Sequence, residues 1–438
     1  MKFCSLIYNN KPQIIVWLFT VAAFLLIFRL GNIKNGFIKP FDFLIALIGI
    51  LILFNAEFKI IIQKLWKEIR DYLKYLTFLI LFIVLGQILS YLRSDGSIIN
   101  FDLFLNYGRV IFNAAVFLLT AILIFNNQKL IPLVSKAIFI SPLAILPAFF
   151  GYGREIYFNG GRLSGFLQDP NIFGGYMTVV FLIGLALFLS SNKLWLKLLI
   201  TAWLCVIASF NLWSGSRAGW LALILGLIIW SACYFFQQKN LKKIIWLMMI
   251  TILSFSVGFI ILPNGFKPYI LDRTIGSQII QKMDLNEIIK EYNPGFNPSH
   301  YYGFISNQIR TDIWKNILII AIKNPLGFGF NYLNGHLFII NNETIAFTTN
   351  IFLEIMIAGG IGALLIFLII LKKLYKGIKY VLKNLDDLKL AWIVASLAVL
   401  GDLFFIDGFL FRYFWFILGM VLGIQWLERF KPKTEDIV

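Results

Sequence analysis

Long apolar runs alternate with short polar breaks along almost the whole chain. At roughly 20 apolar residues per membrane crossing, the runs predict about twelve spans. They fall near 12–29, 41–57, 74–93, 109–127, 130–150, 171–190, 194–213, 216–236, 243–263, 348–371, 388–407 and 409–427. The fifth is interrupted by Lys136, Pro142 and Pro147, and only a tight turn separates the last two. One long hydrophilic piece stands out, at 264–347. The pattern divides the chain into 1–263 with spans one to nine, 264–347 as a large loop, and 348–438 with spans ten to twelve. The expected fold is all-α: a polytopic membrane protein with one large outer loop.

The distribution of cations orients these spans. With the N-terminus in the cytoplasm, the cytoplasmic pieces carry 22 Lys and Arg and the short outer loops carry 9. Basic residues favour the cytoplasmic side, so both termini are expected there, and 264–347 is expected outside. Composition agrees with membrane residence, since 59% of residues are hydrophobic and only 14% charged. A net charge of +17 would suggest nucleic acid in a soluble chain. Here the cations sit mainly in cytoplasmic loops, so no nucleic-acid partner is expected. Cys4, Cys205 and Cys233 form no CxxC pair, and His300 and His336 are far apart, so no disulfide and no metal site are expected. The first apolar run is long enough to remain as a membrane helix rather than a cleaved signal.

Several polar blocks share the outer side. In Leu212–Trp220, Ser214 or Ser216 can cap the following helix, which places Arg217 in its first turn. A cation is unfavourable there unless an anion bridges it to the helix N-terminus; snorkelling to the membrane surface explains the same arginine. The loop after the fifth span carries Arg154, Arg162, Asp169, Pro170 and Asn171. Asp169-Pro170 reads as N-cap and first helical residue. Span ten opens with Asn350 and Glu354, four apart and so on one helix face, followed by Gly359, Gly360 and Gly362 for close packing. An ionisable residue one turn inside a span is a functional candidate; pairing with an arginine to hold the bundle is its structural counterpart. Asp402 and Asp407, with Arg412 nearby, read as a structural ion pair.

Within the large loop, Ile279 to Ile289 and Arg310 to Lys323 read as amphipathic helices. In the second, Ile313, Trp314, Ile317, Leu318, Ala321 and Ile322 make one stripe that suits a membrane surface or the roof of a cavity. It ends at Asn324-Pro325, before a turn with Gly327 and Gly329. Between the helices, Tyr292 to Tyr302 mixes aromatics with amides, a combination that suits sugar rings and, equally, interfacial anchoring. Several arginines with a few carboxylates at one membrane face suit a lipid-linked phosphate ligand, because arginine binds phosphate oxygens bidentately. No nucleotide-binding fingerprint accompanies them.

Four blocks in order resemble the O-antigen ligase/polymerase superfamily of bacterial membrane glycosyltransferases. They are Gly165-Phe166 through Asp169-Pro170-Asn171; Ser214-Gly215-Ser216-Arg217-Ala218-Gly219; Arg310 and Trp314 with Asn324-Pro325-Leu326-Gly327-Phe328-Gly329; and Asn350-Ile351-Phe352-Leu353-Glu354 with the glycines after it. The resemblance covers roughly 160–365 and implies a GT-C-like fold in the bacterial inner membrane. It implies transfer of a glycan from undecaprenyl pyrophosphate, without cofactor or metal, to a growing glycan (polymerase) or to lipid A-core (ligase). On the resemblance, Arg217 and Arg310, joined by Arg162, hold the pyrophosphate. Asp169, Asn171, Asn350, Trp314 and Tyr301 position glycan and acceptor. The family commonly has His before the fourth block's Asn, where this chain has Thr349. A general base then falls to Glu354, to His336 or Glu343 from the loop, or to nothing strong, and the missing His tilts the expectation toward a polymerase. Membrane lipid is an expected partner, and a chain-length regulator is left open. A lipid-linked glycan flippase is the rival class; it calls for an internal repeat and charges near mid-membrane in both halves.

Overall fold

The computed structural model describes residues 11–28, 39–93, 101–152, 157–159, 162–167, 169–267, 270, 303–330, 339–340, 343–344, 350–383, 386–406 and 408–430. Almost all of them are helical. The elements are α1 (Lys11–Phe24), α2 (Pro40–Leu53), α3 (Ala56–Arg93), α4 (Phe101–Asn126) and α5 (Leu130–Ile140), which a tighter helix prolongs over Ser141–Phe150. After the hairpin β1–β2 (Phe158–Asn159, Arg162–Leu163) come α6 (Pro170–Ser190), α7 (Leu194–Ser214), α8 (Arg217–Cys233) and α9 (Leu241–Ile261). The loop segment contributes α10 (Gly303–Lys323) and a second two-residue hairpin, β3–β4 (Ile339–Ile340, Glu343–Thr344). The chain then runs through α11 (Ile351–Lys376), α12 (Ile378–Lys383), α13 (Asp387–Leu403) and α14 (Arg412–Phe430).

Eight helices among the described residues are long and apolar enough to cross a membrane. Each overlaps an expected span. The count of twelve is not reached by that measure, because α1 and α2 have only 14 residues and α13 only 17, and because α14, with 19 residues, includes Arg412, Gln425, Glu428 and Arg429. One boundary is corrected. Residues 58–74, expected as a cytoplasmic loop, are the first half of α3, which runs 38 residues. At 1.5 Å per residue α3 is about 57 Å long, against ~30 Å of hydrocarbon. Its periodicity explains the continuation: Phe58, Leu65, Ile69, Tyr72 and Leu76 are buried, while Lys59, Lys64, Lys67 and Arg70 are exposed.

The centre of the bundle is α6, apolar on every side and buried without interruption from Ile172 to Ala186. Helices α5, α7, α8 and α13 pack around it. Helix α14 lies against α4, where Gly419 and Gly423 meet the Phe117 and Ala121 carbonyls; small residues four apart let the two backbones approach. Ion pairs tie one end of the bundle: Lys373 to Asp71 at 2.8 Å, Arg429 to Glu68 at 3.0 Å, Lys389 to Glu428 at 2.7 Å and Lys243 to Asp387 at 2.8 Å. The polar blocks gather at the other end.

Candidate active site

The first two blocks form one hydrogen-bonded unit. Asp169 caps α6: its Oδ1 accepts from the Asn171 and Ile172 amides at 2.6 and 3.3 Å, with Pro170 first in the helix, as expected. The Asn171 side chain turns back and accepts from Arg162 Nη2 at 2.8 Å. Arg162 Nε donates to the Ser214 carbonyl at 2.7 Å, across 52 residues of sequence. The β1–β2 hairpin delivers Arg162 to this point, held by Phe158 packing edge-on to Trp213. Ser214 closes α7, Gly215 turns the chain with φ 59°, and Ser216 caps α8 by accepting from the Gly219 amide at 3.1 Å. Arg217 is therefore the first residue of α8, half-buried at the positive end of its dipole.

Below this turn, α6 and α8 touch backbone to backbone. A Cβ on Gly219 would lie 2.8 Å from the carbonyl carbon of Gly174. Thr178 Oγ1 bridges the two helices, 2.9 Å from the Gly219 carbonyl and 3.1 Å from that of Gly174, and Asn211 Nδ2 donates to Gly174 at 3.1 Å. These buried polar groups fix the height of Arg217 relative to Asn171.

The fourth block clamps a different turn. Asn350 caps α11, accepting from the Phe352 and Leu353 amides, and its Nδ2 donates to the Phe404 carbonyl at 2.7 Å. Glu354, 3% exposed, accepts from the Gly408 and Phe409 amides at 2.9 and 3.0 Å, both on Oε2. The two side chains do not share a helix face as expected, since Asn350 stands outside the helix with φ −163°. They share a target, the turn between α13 and α14.

The third block supports α11 from outside. Helix α10 buries Ile313, Ile317 and Ala321, and Trp314 packs edge-on to Phe404 at 5.7 Å. Leu318 and Ile322, placed in the same stripe by the sequence, are exposed instead. The turn after α10 enters a break in α11 at Gly360, whose φ is 72°. Phe328 donates to the Ile357 carbonyl at 2.8 Å and Ile361 to that of Pro325 at 3.0 Å. The break frees backbone groups within the span and the turn satisfies them.

Asp402 and Asp407 were expected to pair with Arg412. Arg412 pairs with Asp42 on α2 and lies over the Phe112 ring, and Asp407 lies outside the described residues. Asp402 is fully buried and abuts Gly175 of α6 so closely that no Cβ would fit there. A carboxylate within one turn of a span's outer end was the signal available. Of the other expected site residues, Tyr301 and His336 lie outside the described residues, as do Arg154, Thr349 and Asp407. Arg310 is on α10, with its side chain outside the described set.

Fold and site together define a multi-pass helical membrane protein that carries an arginine-bearing polar site where three capped helix N-termini, those of α6, α8 and α11, meet one end of the bundle. The family model described as O-antigen ligase matches residues 204–368, from within α7 into α11. Over that segment the chain is similar to the O-antigen ligase family, which supports the O-antigen ligase-like superfamily. The match takes in the second, third and fourth blocks; the first precedes it and is joined to it through Arg162. No curated protein gives a significant match.

Proposed function

We propose that the protein is a glycosyltransferase that moves a glycan from undecaprenyl pyrophosphate to a sugar hydroxyl at the outer face of the bacterial inner membrane, with both termini in the cytoplasm. The observation that carries this reading is that Arg162 and Asn171, ahead of the matched segment, are tied to the Ser214–Arg217 turn inside it, at an end of the bundle where three helix N-termini lie. Helix N-termini and guanidinium groups both favour a phosphate ligand. In the reaction, an acceptor hydroxyl attacks the anomeric carbon, the new glycosidic bond forms, and the bond to pyrophosphate breaks. Negative charge develops on the departing pyrophosphate, where Arg217 and Arg310 stabilise it. Glu354 takes the hydroxyl proton, with Oε2 held by the Gly408 and Phe409 amides; His336 is the alternative base. Asp169 and Asn171 set the height of the donor site, while Asn350, Trp314 and Tyr301 position acceptor and glycan. Thr349 in place of the usual His favours a polymerase over a ligase.

Deletion of the gene, followed by gel profiling of surface glycan, separates the readings. Loss of the long ladder with one repeat retained on the core marks a polymerase. Bare core with long glycan on the lipid carrier marks a ligase. An unchanged profile, or full activity in both Arg217→Ala and Arg310→Ala, removes the pyrophosphate-clamp assignment.

A further inference from the structure

The sequence puts α10 in the outer loop, on the membrane surface or over a cavity. Its contacts place it lower. Trp314 packs against Phe404, which also meets Phe352 in the first turn of α11. Eleven residues after Trp314, the Pro325 carbonyl accepts from the Ile361 amide, nine residues along α11 from Phe352. The two helices therefore advance in step, and α10 descends beside α11 by about 14 Å.

Two neighbouring helices give the depth it reaches. Lys373 pairs with Asp71 and Glu68 at the far end of the bundle, and such charges keep to the water side of the hydrocarbon edge. Gly360 is 13 residues from Lys373, about 20 Å, and Gly86 is 15 residues from Asp71, about 22 Å. The turn after α10 touches both glycines. A Cβ on Gly86 would lie 2.7 Å from the Leu326 carbonyl oxygen, and one on Gly360 would strike that of Pro325. Against ~30 Å of hydrocarbon, this turn sits about 8–10 Å inside the outer edge. Its backbone is satisfied there: Gln87 Oε1 accepts from the Phe330 amide at 2.9 Å, beside the two bonds to α11.

The faces of α10 divide accordingly. Ile313, Ile317 and Ala321 are buried against the bundle, whereas Leu318, Ile319 and Ile322 are exposed on the opposite side, Ile322 by 72%. Leu326 in the turn is exposed as well, and α11 continues the apolar surface with exposed Ile361, Leu365 and Leu368. Lys323 is exposed on α10. Its stem leans toward the helix N-terminus and so raises the ammonium toward the headgroups.

We infer that α10 and the turn after it form a re-entrant element, whose Leu318–Leu326 face is immersed in the acyl chains of outer-leaflet phospholipid. Depth and continuity with α11 select this occupant. A roof in water would leave four large apolar side chains wet at a level where α11 is still in hydrocarbon. Arg310, one turn before Trp314, then emerges at the headgroup layer, and lipid helps to set its height.

The test uses the full-length protein in phospholipid nanodiscs, with Cys4, Cys205 and Cys233 replaced by alanine. Spin labels go on Thr311→Cys and Ile322→Cys, and power saturation against oxygen and a nickel chelate reads their depths. Eleven residues of helix span about 16 Å, so the label at 322 is expected at least about 10 Å deeper than the label at 311 after allowance for tilt. Equal depths mean a helix flat on the surface. Preference for nickel at both sites means a roof in water. An immobile label at 322, shielded from both reagents, means contact with a second copy of the chain. Each of these three overturns the inference. The unsubstituted protein gives an independent reading: a phospholipid with a photoreactive group in mid-chain is expected to label 318–326. Labelling of 361–368 without 318–326 overturns it as well.

Discussion

Glu354→Gln separates the anchoring contacts that Glu354 makes from its proposed role as general base. As an anchor, Glu354 accepts two backbone N–H bonds from the α13–α14 turn. Glutamine keeps an oxygen in the same place, so each bond falls from the charged class, about 1.5–3 kcal/mol, to the neutral class, about 0.5–1.5 kcal/mol. Summed over two bonds, the loss is about 1–3 kcal/mol of stability. Glu354→Ala leaves both amides buried without a partner, at about 1–3 kcal/mol each, and opens a cavity besides. As a base, Glu354 contributes about 10²–10⁴ in rate, all of which glutamine removes. We expect Glu354→Gln to insert and fold, to bind donor with KM near wild type, and to lose at least about a hundredfold in kcat. Glu354→Ala should lose activity and stability together. The assay is glycan transfer by purified protein in nanodiscs at saturating donor and acceptor, with thermal unfolding measured on the same samples. If Glu354→Gln keeps its rate within about threefold while Glu354→Ala unfolds, Glu354 is an anchor and the base lies elsewhere.

Two further variants probe the scaffold. Arg162→Lys replaces a fork that reaches Ser214 and Asn171 together with a single ammonium that cannot span both. The expected outcome is donor KM raised about tenfold or more through loosening of the Arg217 turn; wild-type donor kinetics would show that these ties do not position it. Gly360→Ala puts a methyl onto the Pro325 carbonyl and forces alanine to φ 72°, which costs about 1–3 kcal/mol from backbone strain alone. Thermal unfolding in detergent should show that loss. Gly362→Ala, whose nearest neighbour would be the Phe82 ring and which needs no positive φ, should lose less.

Much of the architecture was legible because the bilayer acts on sequence locally. An apolar run of about 20 residues states its own span, and Asp169-Pro170 and Ser216 state the helix starts that follow them. The amphipathic helix ending at Asn324-Pro325 could be read in the same way. The bilayer does not set where a helix stops once it leaves the lipid, and so α3 ran on through a stretch expected as loop. Partner choice was out of reach. Arg162 bonds to a carbonyl 52 residues away, Glu354 to amides more than 50 residues away, and Arg412 to Asp42 at the other end of the chain. Which polar groups meet across a helix bundle depends on how the helices are rotated and staggered about α6. That is set by side-chain packing, by close approaches such as Gly174 on Gly219, and by the break at Gly360 that admits a turn from another part of the chain. The spans and their caps are local consequences of the sequence, whereas the site exists only after packing has brought four separate stretches to one end of the bundle.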